Sequence, residues 1–380
     1  MTVRHLYVHL PFCGSRCGYC DFVTVVGHAS RHGPYVDALL AELELERAVL
    51  GDRVETIFLG GGTPTLTEPG ALRQLLRALP RCEELTVEAN PETITPGLAA
   101  LLAAEGVTRV SLGAQSFQPH LLHVLDRRAS PDAVRRAFYS LRDANLDNIS
   151  LDLIYGIPGQ SAADLDHDIE AALGLRPEHL SWYELEAKPG TRFTHAHGSE
   201  LERQAEAMEG YFERVIERLT GAGYRWYETA NFCLAPDRDG GRDLRSRHNL
   251  AYWLGRDYLG LGIGAVSTVD DRRWRNTPKL GAYVDALARG DSPEREVEPL
   301  PSDVRARERV MLGLRLDAGV RWDDAQTAID PVALERLAAG GLVRRRPANG
   351  VPETLVLTDR GRRLGGAVTA ELLAEPSSIT

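Results

Sequence analysis

The stretch Tyr7-Val-His-Leu-Pro-Phe-Cys13-Gly-Ser-Arg-Cys17-Gly-Tyr-Cys20-Asp-Phe22 carries three of the chain's five cysteines, spaced Cys-x3-Cys-x2-Cys behind a mostly apolar run. Three thiolates hold three irons of a 4Fe–4S cube and leave the fourth iron open to a small ligand. A structural zinc site is the alternative. Zinc takes four closed ligands, and no fourth Cys or close His stands at finger spacing. Cys82 and Cys233 stand alone and read as free thiols. Clustered cysteines without an even disulfide framework fit a reducing cytoplasm.

Outward from that stretch, short apolar segments over 5–10, 56–60, 85–90, 109–113, 149–155 and 180–185 read as strands. Each leads into a loop rich in Gly, Pro, Ser or Asn. Segments 35–50, 71–79, 97–105, 132–144 and 163–173 read as helices between them. In the first, Val36, Leu39, Leu40, Leu43 and Leu50 recur at helical spacing. Six strands alternating with helices imply parallel βαβ units with right-handed crossovers. The expected fold is therefore α/β, a partial (β/α)6 barrel. Such barrels place their chemistry at the C-terminal ends of the strands.

Several motifs fall at those ends. Gly60-Gly61-Gly62-Thr63-Pro64 follows the second strand. Glycines let backbone approach a ligand and leave N–H groups pointing at it; a plain tight turn is the alternative. The third strand ends Val87-Glu88-Ala-Asn90-Pro91, where a carboxylate can accept from ribose hydroxyls. The fourth ends Gly113-Ala-Gln115-Ser-Phe117, and Arg127 follows, able to pair with a carboxylate. Asp152 is a lone charge inside the apolar fifth strand, costly unless paired or used at a site. His195 and His197 read as part of an exposed polar loop, since no third metal ligand stands near. A long helix is expected over 200–219, with the barrel ending at 224–232.

The polar segment 236–247 reads as a surface loop. His248-Asn249-Leu-Ala-Tyr252-Trp253 follows. A histidine beside large aromatics can ligate haem iron, and a packed helix with a hydrogen-bonded histidine is the alternative. The last 80 residues read as helices over 302–316, 331–339 and 362–373 with strands over 342–345 and 354–358. That order suggests a small helical, winged-helix-like domain. The expected division is a core barrel over 1–235, a connector over 236–300 and a C-terminal domain over 301–380. Net charge is −10, which argues against nucleic acid as a general partner, and Arg344-Arg345-Arg346 reads as a solvated basic edge. No apolar run is long enough to span a membrane, and no signal-peptide pattern opens the chain.

Taken together, these motifs resemble the anaerobic coproporphyrinogen oxidase family of radical S-adenosylmethionine (SAM) proteins, and its haem-chaperone branch. The likeness runs over almost the whole chain. It rests on His9-Leu-Pro-Phe-Cys13, Cys20-Asp-Phe22, Gly60-Gly-Gly-Thr-Pro64, Glu88-Ala-Asn-Pro91, Ser111-Leu-Gly-Ala-Gln-Ser-Phe117, Asp152-Leu-Ile-Tyr-Gly-Ile-Pro-Gly159 and His248-Asn-x-x-Tyr-Trp253. The resemblance implies a 4Fe–4S cluster on Cys13, Cys17 and Cys20. It implies SAM contacts from Tyr7, Tyr19, Gly61, Gly62, Thr63, Glu88, Gln115, Arg127 and Asp152, and haem handling at His248. A side chain at Gly62 is expected to fill the space SAM's amino group needs. The implied role is a haem chaperone that passes haem to an unidentified acceptor, with a membrane-bound acceptor and a homodimer both compatible. The other class is a radical enzyme acting on a porphyrinogen, or a C-methyltransferase, since the fold is able in principle to cleave SAM. Phe22 stands where the oxidases resemble Cys-x3-Cys-x2-Cys-x-Cys, and the N-terminal arm is short, which speaks against the oxidase. Ala129 and Val266 stand where relatives usually show His.

Overall fold

The computed structural model describes residues 2–186, 192–236, 241–347 and 352–374. Six parallel strands run in chain order: β1 (His5–Leu10), β2 (Thr56–Gly61), β3 (Glu84–Ala89), β4 (Arg109–Gln115), β5 (Ile149–Tyr155) and β6 (His179–Glu184). Two antiparallel strands, β7 (Tyr224–Glu228) and β8 (Asn231–Leu234), extend the sheet beyond β6. On the other edge β9 (Leu259–Leu261) pairs in parallel with β1. The nine strands thus run β9-β1-β2-β3-β4-β5-β6-β8-β7, the expected half-open barrel with an added strand at one edge.

Crossover helices α1 (His32–Leu45), α2 (Pro69–Ala78), α3 (Pro96–Ala104), α4 (Pro131–Asp143) and α5 (Ala162–Leu175) link these strands. Their starts are written in the sequence. Thr95, Ser130 and Ser161 each accept a hydrogen bond from the backbone N–H three residues on, and Asp164 completes a capping box with Ser161. α1 stops at Leu45, short of the expected 50. Leu50 instead forms a parallel bridge with Val3, which draws the chain out of the helix.

Side chains alternate along each strand. Leu6, Val8, Ile57, Leu59, Val87, Val110, Leu112, Leu151 and Leu153 join the apolar core beneath the helices. The other set is polar: His5, His9, Thr56, Thr86, Ser111, Ser150, His179 and Ser181 are buried on the inner face. A barrel interior of this kind is fit to hold a polar ligand.

Two expectations change beyond β6. His195 and His197 lie on a helix, α6 (Arg192–Gln204), not in a loop. Phe193 is buried among Leu121, Leu125, Ile154 and Ile157, and Leu201, two turns later, packs on the same cluster. The expected helix over 200–219 breaks at a 3-10 turn, Ala205–Ala207, before α7 (Met208–Gly221). Of the expected loop 236–247, residues 237–240 lie outside the described residues. Leu244 and Ser246 are buried, so its second half is an anchored segment.

After β9, three antiparallel strands (Val266–Val269, Arg272–Asn276 and Arg295–Pro299) form a small sheet. Helix Ser302–Gly313 then opens a unit with its own core, in which Val310, Leu337, Val343, Leu355 and Leu372 are buried together. Its hairpin pairs Val343–Arg346 with Thr354–Leu357. Arg345 lies over the Trp322 ring at 4.0 Å and bonds Glu353, so the basic run is partly neutralised. Among the described residues no helix is long and apolar enough to cross a membrane.

Candidate cluster and ligand site

The cysteine loop leaves the C-terminal end of β1. Phe12–Cys13 pairs in parallel with Val25–Val26, so the loop between them is pinned at both ends. Cys17 and Cys20 share a turn, the Cys20 N–H donating to the Cys17 carbonyl at 3.2 Å. All five cysteines are free thiols; Cys13 is buried, and Cys17 and Cys20 are half-buried. Burial pushes the Cys13 and Cys20 thiols up, so loading iron there displaces protons. Among the described residues no three His, Cys, Asp or Glu side chains converge on one point. A cube takes each thiolate on a different iron, so its ligands stand apart.

One polar chain ties this loop to the barrel mouth. Thr63 Oγ1 lies 3.5 Å from Cys13 Sγ and accepts from Asn90 Nδ2 at 2.9 Å. Asn90 Oδ1 accepts from Arg127 Nη2 at 2.8 Å, which also donates to the Gly113 carbonyl at 2.8 Å. Arg127 Nη1 reaches Cys17 Sγ at 3.8 Å. Arg127 Nε is buried without a hydrogen-bond partner. A buried charged donor with an unused N–H is costly, so this atom is suited to an incoming anion. The site therefore fits both a cluster and a ligand carrying a carboxylate.

The glycine run differs in part from expectation. Gly61, at φ +113°, donates its N–H to Glu88 Oε2 at 3.1 Å. Gly62 N–H donates to the Leu10 carbonyl at 2.8 Å. A Cβ on Gly62 would stand 2.5 Å from the Pro11 carbonyl oxygen. A side chain there meets the chain's own backbone before it fills ligand space, so Gly62→Val breaks the loop instead of only blocking SAM.

Two acids face each other inside the barrel. Burial, and then the nearby Asp152, raise the Glu88 carboxyl to about 7. Asp152 Oδ2 accepts from Ser111 at 2.8 Å and its Oδ1 from Ser150 at 3.2 Å. Burial pushes Asp152 up, while Arg109 and these hydroxyls hold it back. Its direct partners are serines, not the salt-bridge cation of the alternative reading. Tyr7 donates to His9 Nδ1 at 3.0 Å, because His9 Nε2 must carry the proton it gives to the Val23 carbonyl at 2.8 Å. Gln115 adopts φ +64° at the end of β4. Tyr19 packs at the rim on the Leu121–Phe193 cluster, and burial pushes its phenol up. Asn90, His9 and the serines around Asp152 received no role from the sequence. For the serines, the signal was there as polar residues at every second strand position.

His248 is not part of this mouth. It opens helix α8 (Arg247–Trp253), and its N–H donates to Glu84 Oε1 at 3.0 Å. Glu84 and Thr56 begin β3 and β2, so His248 sits at the opposite end of the strands. Its Nδ1 lies 2.8 Å from Thr56 Oγ1 and its Nε2 2.9 Å from the Tyr252 hydroxyl. The ring stacks on Phe58 with centroids 5.2 Å apart and is 1% exposed. Burial lowers its pKa to about 3, which keeps it neutral. Neither nitrogen is free to take iron in this arrangement, which is that of a packed, hydrogen-bonded histidine. Ala129 is buried, and Val266 lines a cleft beside Phe22.

Residues 7–172 match the radical SAM superfamily. The chain is 37% identical to the heme chaperone HemW of Mycobacterium tuberculosis, over 97% of this chain and 94% of that protein. It is 32% identical to the heme chaperone HemW of Bacillus subtilis, over 98% of this chain and all of that protein. In fold it is similar to the coproporphyrinogen III oxidase HemN of Escherichia coli, with a TM-score of 0.80 at 23% identity, covering 97% of this chain and 90% of that one.

Proposed function

The chain belongs to the HemW haem-chaperone family of radical SAM proteins, and from that premise we propose that it binds haem and passes it to an acceptor protein in the cytoplasm. Cys13, Cys17 and Cys20 hold a 4Fe–4S cluster in this reading. Tyr7, Tyr19, Gly61, Gly62, Thr63, Glu88, Gln115, Arg127 and Asp152 form the SAM pocket beside it. When bound, the cluster supplies an open iron and one-electron chemistry. Arg127 offers its unused Nε–H to a ligand carboxylate, and Asn90 keeps that guanidinium aimed between Thr63 and Cys17. Glu88 and Asp152 accept hydrogen bonds from ligand hydroxyls deeper in the barrel. His248 has a structural part here, fixing α8 to the closed end of the strands.

The observation that carries the reading is the unbroken chain Cys13–Thr63–Asn90–Arg127–Cys17, which joins the cysteine loop to three strand ends. One sample tests it. After anaerobic reconstitution, iron and sulfide should approach about four each per chain. Haem titration should then saturate, and incubation with SAM and reductant should release little 5′-deoxyadenosine. Rapid 5′-deoxyadenosine release without haem binding would turn the assignment to the radical-enzyme class.

A further inference from the structure

An open cleft of about 230 Å³ lies between the cysteine loop and the small connector sheet. Phe22, Val266, Tyr252 and Tyr258 form its apolar and aromatic walls, and His9 and Arg275 line it too. Phe22 is 61% exposed, unusual for so large an apolar side chain. Tyr252 meets Tyr258 edge to face with centroids 4.6 Å apart, which gives one wall a fixed aromatic corner. Of His248, Asn249, Tyr252 and Trp253, Tyr252 alone reaches this cleft.

Arg275 sets the ligand's charge. Three arginines nearby are paired: Arg273 with Glu308 and Glu298, Arg295 with Glu46, and Arg305 with Asp257. Arg275 has no carboxylate partner among the described residues, yet its charge reaches His9 within the cleft. Asp21, the acid at the rim, is already engaged. An unpaired guanidinium beside the exposed Phe22 and the half-buried Tyr252 and Tyr258 suits a flat apolar ligand with a carboxylate on its edge.

Resting on the chaperone reading, we propose that this cleft is the haem seat, with Arg275 anchoring a propionate and Phe22, Tyr252, Tyr258 and Val266 covering the ring. The cleft is smaller than the pockets that enclose drug-sized ligands, roughly 300–1,000 Å³. Haem seated here stays partly in solvent, where an acceptor can reach it. The seat also explains how the motif that contains His248 bears on haem while His248 itself is sealed: it contributes Tyr252.

The test pairs a variant with a ligand analogue, using the cluster-loaded protein. Haem and haem dimethyl ester are titrated into the parent, Arg275→Gln and Arg275→Lys, with Arg289→Gln as a surface control. Arg275→Gln should weaken haem about tenfold, and the ester should bind the parent about tenfold more weakly than haem. In Arg275→Gln the ester should cost nothing further, since one contact cannot be lost twice. Arg275→Lys should recover part of the loss, and Arg289→Gln should match the parent. Iron content and SAM affinity should not move in any variant. A parent that binds haem while Arg275→Gln binds it equally well, or that binds ester and haem alike, overturns the seat. A parent that binds no haem overturns the chaperone reading itself, and the seat with it.

Discussion

At the scale of single residues, position in the barrel keeps Cys82 and Cys233 away from the cysteine loop, as their lone places in the sequence suggest. Cys82 precedes β3 at the closed end, where its thiol bonds the Glu84 carbonyl, and Cys233 is buried in β8. Cys17→Ala should therefore abolish the cluster absorbance while Cys82→Ala keeps it; a Cys82 variant that loses its iron would sink the assignment. Glu88 gives a pH signature. Its folded pKa of about 7 lies above the ordinary carboxylate value of about 4.3, so folding takes up a proton between those limits. The stabilisation from that proton is present at low pH and is lost as pH rises through about 7. Glu88→Gln holds a neutral amide at every pH. Its melting temperature relative to the parent should rise from pH 5 to pH 8, by the equivalent of about 2 kcal/mol once water in the open mouth is allowed for. A flat difference across that range would mean Glu88 is ionised throughout. His248→Ala removes two buried hydrogen bonds and a stacked ring, which should cost about 2–4 kcal/mol in thermal unfolding. The folded fraction should still take up haem.

At the scale of elements, the loop after β4 shows how a strained conformation is held. Gln115 sits at φ +64°, a region non-glycine residues rarely adopt. Behind it, the fully buried Asp168 of α5 accepts from Ser116 Oγ and from the Phe117 N–H, both at 2.7 Å, and from Gln118 Nε2 at 3.2 Å. Asp168→Asn keeps one acceptor oxygen and turns the other into an NH2, so the Ser116 hydroxyl or the Phe117 N–H loses its acceptor. SAM affinity, read by isothermal titration, should fall about tenfold or more while cluster content stays near the parent's. Equal losses of both would make Asp168 a general fold residue. The sequence could show the β4 strand and could point to Gln115, because both are local. It could not show Asp168 as the support, since that pairing spans some fifty residues and looks like any helix-face acid. The same limit explains α6. Its seam of Phe193 and Leu201 becomes visible only once Leu121 and Ile154 are known to lie opposite. The six barrel strands and their crossover helices, by contrast, carry their own period and caps, and the cysteine loop carries its chemistry in its spacing. His248 falls between these cases. Its motif was legible, but whether it faced ligand or core depended on Thr56 and Glu84, which open strands far away in the chain.

At the scale of the whole molecule, a few contacts rivet the C-terminal unit to the end of the barrel. Arg315 Nε donates to Glu228 Oε1 at 2.6 Å, and its guanidinium lies over the Trp253 ring at 4.5 Å. One side chain thus joins β7, α8 and the segment after helix Ser302–Gly313. Leu316 bridges Glu228 through the backbone and is buried with Tyr227, Cys233 and Leu244, while Arg225 grips Asp317 by two bonds. Glu228 has no exposed side-chain surface. Removing its cation strands a buried carboxylate, a loss of about 3–5 kcal/mol. An exposed pair such as Arg336–Glu371 is screened by water and is worth about 0–1 kcal/mol. Arg315→Met should therefore shift the urea midpoint far more than Arg336→Met, although both delete one ion pair. Adding Glu228→Gln to Arg315→Met should recover much of the loss, because a neutral amide needs no cation and still accepts from the Ala230 N–H. If the two single variants lose equally little, the apolar contacts around Leu316 hold the unit without the clamp. If the double variant recovers nothing, the loss came from the stacking on Trp253 and not from the stranded charge.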